Sequence, residues 1–125
     1  MGLYSDDLSR LGMLMMDSRR AGRLVVDTGL HAKGWSRQQA IDYLLANTPM
    51  APHLVVSEVD RYLAAPGQAL AYMVGRLEIQ RLRRDAEARL GSRFDIRDFH
   101  EAVLGEGPVP LSVLAELIEE WVASV

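Results

Sequence analysis

Apolar residues recur at intervals of three and four along nearly the whole chain, and this spacing predicts helices. Leu8, Leu11, Met15, Gly22, Val25 and Gly29 form the first series and predict a long helix over about residues 6–31. Ser5 is placed to cap it, with Asp6 and Asp7 in the first turn, where carboxylates complement the helix dipole. Gly12, Gly22 and Gly29 each cost a helix about 1 kcal/mol relative to alanine, so their expected use is close approach by another helix. Lys33 and Gly34 end the element. Ser36 and Gln39 have the spacing of a capping box, which opens a second helix over about 37–46. The run "NTPMAP" breaks the pattern, and Leu54, Val55, Val59, Tyr62 and Leu63 mark a third helix. Pro66 suits the first turn of a fourth, which runs to about Leu90, before Gly91. Asp95 with Asp98 opens a short fifth helix, and "GEGPVP" separates it from a sixth over about 111–123. The pattern therefore predicts an all-α chain of about six helices in an irregular bundle, two of them long, about 6–31 and 66–90. The one β-like run, "LVV" before Asp27, is embedded in helical spacing.

Composition narrows the class. At 125 residues, with 49% hydrophobic and 25% charged residues, the chain reads as a single globular domain. Its net charge of −3 argues against nucleic acid or an anionic membrane as the main partner. The lack of cysteine excludes disulfides and thiolate-bound metals. The start "MGLYSDDLSR" lacks the basic residues and apolar run of a signal peptide. Asp6 and Asp7 also stand where an acylation signal wants Ser or Thr. No apolar run reaches transmembrane length. The default expectation is therefore a cytoplasmic location.

Several short motifs suggest chemistry. "VVDTG", ending at Gly29, matches the nucleophilic segment of aspartic proteases in letters only. That motif needs a strand leading into a loop and a small residue after the glycine, whereas Leu30 follows here within a helix. On a helix, Arg23, Asp27 and His31 fall at i, i+4 and i+8 and share a face, and Arg19 or Arg20 extends the row. Asp27 is then placed to accept from both Arg23 and His31. The row is either a surface ion pair or the lining of a cleft, with His31 oriented by Asp27. Gln68, Tyr72 and Arg76 repeat the arrangement on the fourth helix, and Gly75 permits close approach of a neighbour. Tyr72 is either a core-edge tyrosine or a phenol aimed into a site.

Other motifs fail on inspection. "HEAVL" from His100 lacks the second histidine of a helical zinc chelate, because Leu104 stands there. His31, His53 and His100 lie on separate elements, so no metal site is expected. The arginine-rich tract "RLRRDAEARLGSR" has Asp85 and Glu87 placed to pair with Arg89 and Arg83. It also carries no aromatic residue for base stacking, so it reads as a solvated helix face.

The segments "RLVVDTGLHAKGWSRQQAIDYL", "EVDRYLAAPGQALAYMVGRLEI" and "FDIRDFHEAVLGEGPVPLSVL" closely resemble the C-terminal part of a bacterial family catalogued as domain of unknown function 885. The resemblance runs from "MGLYSDDLSRLGML" to "LIEEW". Full members are several times longer, are mostly helical and look like zinc-dependent peptidases of the helical-cleft, gluzincin type. Their metal-binding motif lies upstream of the matched region and is not in this chain.

The resemblance therefore implies a cleft-forming C-terminal segment, with no cofactor of its own and no catalysis alone. Zinc is expected in the full-length parent, where zinc-bound water attacks the scissile carbonyl. On the same footing, Tyr72 is the donor to the oxyanion and Arg61 the partner of anionic substrate groups. Arg23, Asp27, His31, Gln68 and Arg76 line the cleft. The expected partner is either the missing N-terminal part of the parent or a second copy of this chain, because Met13, Leu14, Met15 and Met16 make the first helix apolar on more than one side. The rival reading is a free-standing helical interaction module or homo-oligomer.

Overall fold

A computed structural model describes residues 4–125. Six α-helices follow in order: α1 (Asp7–Ala32), α2 (Arg37–Asn47), α3 (Pro52–Ala64), α4 (Ala71–Leu90), α5 (Ile96–Leu104) and α6 (Leu111–Ser124). Short 3-10 turns occupy Gln68–Leu70 and Gly91–Arg93, and no strand occurs among the described residues. The chain is all-α, as its periodicity predicts. The Met-Gly start, read above as a poor acylation signal, lies outside the described residues. No helix among them is long and apolar enough to cross a membrane.

Local chemistry fixes most boundaries. Ser36 and Gln39 form the expected reciprocal box, with bonds of 2.8 and 3.2 Å. Asp95 caps α5 by accepting from the Arg97 N–H at 2.7 Å. Two expectations need correction. Asp6, not Ser5, caps α1, since its carboxylate accepts from the Ser9 N–H at 2.7 Å. Ser and Asp are equally good caps, and the register of the helix selects the second. The fourth helix also starts later than Pro66. Gly67 adopts φ +81°, a left-handed conformation outside any α-helix, and a 3-10 turn intervenes before α4 begins at Ala71.

The helices gather into two compact units, divided between Val74 and Gly75. In the first, α1 meets α2 through glycines. An added Cβ at Gly22 would lie 2.8 Å from a Leu44 methyl, and one at Gly29 would lie 2.5 Å from the Trp35 indole. Val26 of α1, Leu44 of α2, and Val55, Val59 and Tyr62 of α3 are fully or almost fully buried. The α3 residues repeat at four and three, which puts them on one stripe. Each buried aliphatic side chain contributes about 1.5–3 kcal/mol. Gly12 and Gly75, by contrast, have open space where a Cβ would go, so the expected close approach is absent there.

The second unit is built on two stripes that repeat every four residues, Leu82, Ala86 and Leu90 of α4 and Leu114, Ile118 and Val122 of α6. Phe99 of α5 is buried in the same core. Phe94, Phe99 and Trp121 make an aromatic triangle with centroid separations of 6.1 to 6.3 Å. The arginine tract is neutralised as expected, with Arg83 on Glu87 at 2.8 Å and Arg89 on Asp85 at 3.4 Å, and Arg89 also pairs with Glu119.

The glycines separate by environment. Gly29→Ala should destabilise the chain by about 1–3 kcal/mol, because the Trp35 indole must move to admit the methyl group. Gly12→Ala, on an exposed helix surface, should stabilise it by up to about 1 kcal/mol. Urea midpoints of the two variants check this, and shifts of the same sign would refute the packing assignment.

Candidate functional site

The first unit holds a cluster of charged side chains between α1 and α3. At its centre is Glu58 of α3, whose side chain is 15% exposed. Three guanidiniums converge on it. Arg19 Nη2 lies 2.6 Å from Glu58 Oε1, Arg23 Nη2 2.9 Å from Oε2, and Arg61 Nη2 3.0 Å from Oε2. Arg61 Nε adds a longer bond of 3.4 Å to Oε1. The Tyr62 hydroxyl donates to Glu58 Oε2 at 2.6 Å and accepts from Arg23 Nε at 3.0 Å. Helical spacing builds this arrangement: Glu58, Arg61 and Tyr62 fall at i, i+3 and i+4 on α3, and Arg19 and Arg23 at i, i+4 on α1.

Burial pushes the Glu58 carboxyl up, but hydrogen bonds from Arg61, Arg19, Tyr62 and Arg23 outweigh it and hold the group well below the ordinary carboxylate range. Burial raises the Tyr62 phenol above its usual value, and its hydrogen bond to Glu58 adds to the rise. For Arg23, burial opposes the charge, and the bonds to Tyr62 and Glu58 more than restore it. Arg19 is held less completely, since its Nε is buried without a hydrogen-bond partner.

A second motif lies along the same helix. Asp27 is 2% exposed, and both of its carboxyl oxygens accept from the Gly67 N–H, at 3.0 and 3.2 Å. Asp27 thus pins the left-handed turn that leads through Gln68–Leu70 into α4. The expectation that it accepts from Arg23 and His31 is corrected. Both side chains reach across to α3, Arg23 to Glu58 and Tyr62, and His31 Nε2 to the Tyr62 carbonyl at 3.0 Å.

Tyr72 follows the pinned turn. It is 46% exposed, and its ring centroid lies 4.9 Å from Arg23 Cζ, a cation–π contact. Gln68 sits in the 3-10 turn rather than on α4, yet its Oε1 accepts from Arg61 Nη1 at 2.8 Å. Arg61 also lies over the Tyr62 ring, at 5.0 Å. Of the seven residues singled out from sequence, Arg23, His31, Arg61, Gln68 and Tyr72 connect through Glu58 and Tyr62, whereas the bonds of Asp27 go to the Gly67 N–H beside Gln68. Arg76, on α4, belongs to the second unit. Sequence reasoning missed Glu58 and Tyr62. The signal was present in the spacing of Glu58, Arg61 and Tyr62, but Tyr62 reads equally well as a core residue. Among the described residues no group of three His, Asp or Glu side chains is arranged to hold a metal ion.

Comparison with known proteins bears on the same region. A profile for a family described as "Bacterial protein of unknown function (DUF885)" matches residues 1–118. The crystal structure of a "putative lipoprotein" from Colwellia psychrerythraea aligns with a TM-score of 0.95 at 48% identity, over 99% of this chain and 21% of that one. The chain thus spans about a fifth of that protein's length. The lipoprotein description speaks of that protein and lends no support to the cytoplasmic expectation for this one. No curated protein matches the chain.

Glu58 makes acid stability testable. Its carboxyl titrates lower folded than unfolded, so the unfolded chain binds more protons below the ordinary glutamate value of about 4.3, and stability falls as pH drops through that range. Urea midpoints measured from about pH 5 down to about pH 2.5 should decline less in Glu58→Gln than in wild type. Parallel curves would show that Glu58 is not the dominant acid-sensitive group.

Proposed function

We propose, for a chain that belongs to the DUF885 family of bacterial proteins, that it forms one wall of a substrate cleft in a larger helical hydrolase of the metallopeptidase kind and is not catalytic alone. The observation that supports this best is the exposed Tyr72 phenol, set beside a guanidinium cluster that is anchored on a nearly buried carboxylate. A phenol and an arginine at one surface suit a reaction in which negative charge develops on a carbonyl oxygen. In this reading Tyr72 donates its hydroxyl proton in a hydrogen bond to the oxyanion, and Arg61 holds an anionic group of the substrate. Arg23, Gln68 and the Asp27-bound turn fix the positions of both.

The zinc that the family resemblance implies does not fit the residues of this chain. His31 is engaged by the Tyr62 carbonyl, and no metal-holding group exists among the described residues. In this reading the metal ligands come from other parts of a longer family protein.

The test uses a longer protein of the family. It should cleave peptides and lose activity with a chelator. Replacement of the tyrosine equivalent to Tyr72 by Phe should lower kcat about 10²- to 10³-fold with little change in KM. Arg61→Ala should mainly raise KM, and most for substrates with a nearby carboxylate. Equal turnover in wild type and the Tyr72→Phe variant would remove Tyr72 from the site.

A second reading, self-association of this chain, is favoured by a specific observation. Leu8 is 80% exposed, Leu11 52% and Met15 40%, and these residues fall at i, i+3 and i+7 on one face of α1. Pairing of that face about a two-fold axis is the simplest way to cover it. Light scattering at high concentration should report a dimer that Leu11→Glu dissociates, and a monodisperse wild-type monomer would refute it.

A further inference from the structure

We infer that Glu58 is the positioning residue of this surface, holding the Arg61 guanidinium in the orientation from which it meets an anion. The inference rests on the reading of Arg61 as a group that binds substrate anions. Arg61 is fixed on three sides. Its Nε and Nη2 face the two Glu58 oxygens, its Nη1 donates to Gln68, and its Cζ lies over the Tyr62 ring at 5.0 Å. Glu58 acts at two of those sides, because it also accepts from the Tyr62 hydroxyl. These bonds engage three of the five N–H groups of the guanidinium. The others belong to the two terminal nitrogens of a side chain that is 39% exposed. A guanidinium held in place by these contacts, with an N–H left on each terminal nitrogen, is preorganised to grip a carboxylate, so little ordering remains to be done on binding.

Charge and position act in opposite senses at this surface. Glu58 is itself negative and close to Arg61, so by Coulomb's law alone it opposes an incoming anion. It also separates three guanidiniums that otherwise repel one another. If charge alone governs the site, Glu58→Gln makes it more positive and tightens anion binding. If position governs it, the same change frees Arg61 and weakens binding.

The experiment is a titration of the 125-residue chain with N-acetylglycine, followed by chemical-shift changes, with N-acetylglycinamide as the control lacking a carboxylate. Wild type should respond to the acid and not the amide, and Arg61→Ala should abolish the response. Glu58→Gln should bind roughly tenfold more weakly. Glu58→Asp keeps the charge but withdraws it by one methylene, and should also weaken binding. The Arg61 side-chain Nε–H signal should be sharp in wild type and broadened in both variants. If Glu58→Gln fails to fold by circular dichroism, Glu58→Asp decides the matter. Binding as tight as wild type in a folded variant, or an unchanged Arg61 signal, overturns the role of Glu58 and leaves that of Arg61 standing. A wild type indifferent to the acid overturns both. Absence of peptidase activity in a longer protein would count against the hydrolase alone, because this titration does not depend on turnover.

Discussion

One carboxylate shared by three guanidiniums is the constraint around which the first unit is arranged. Taking Glu58 out of water is costly unless its charge is matched and its lone pairs are filled. Arg19 and Arg23 from α1 and Arg61 and Tyr62 from α3 do both. The reverse also holds, since Arg23 is 6% exposed and tolerates that burial only because Glu58 and Tyr62 accept its hydrogen bonds. Apolar packing of Val26 against α2 and α3 brings the helices together without specifying how far each slides along the other. The ion cluster selects one register, because bonds of about 3 Å to a single carboxylate are lost on a shift of one helical step.

The fold was legible in the sequence because its signals are local. Periodicity gave the helices, Ser36 with Gln39 gave a boundary, and the charge pattern of the arginine tract gave its neutralisation. The start of α4 was not legible. Pro66 is favourable at a helix N-terminus, and only the left-handed backbone of Gly67, stabilised by Asp27 forty residues earlier, shows that the chain turns there first. Ser5 and Asp6 were two adjacent caps of equal merit, and a difference of one residue lay below what propensity decides.

The site was legible as a set of residues but not as a set of bonds. Arg23, Asp27 and His31 do share a face, as their spacing requires. Their partners, however, are set by what α3 and the following turn present to that face. Glu58 illustrates the difficulty. In sequence it is one glutamate among three charged residues of α3, and nothing local reports that three arginines will close over it.

The turn at Gly67 carries a consequence for motion. Gly67 is an exposed residue, yet its amide hydrogen is bound by both oxygens of a buried side chain. Such an amide exchanges with solvent only when that clasp opens, so its protection is out of keeping with a surface loop. The clasp precedes the segment that carries Gln68 and Tyr72. Hydrogen exchange at this one position therefore reports how firmly the turn that leads to Gln68 and Tyr72 is held, without any ligand.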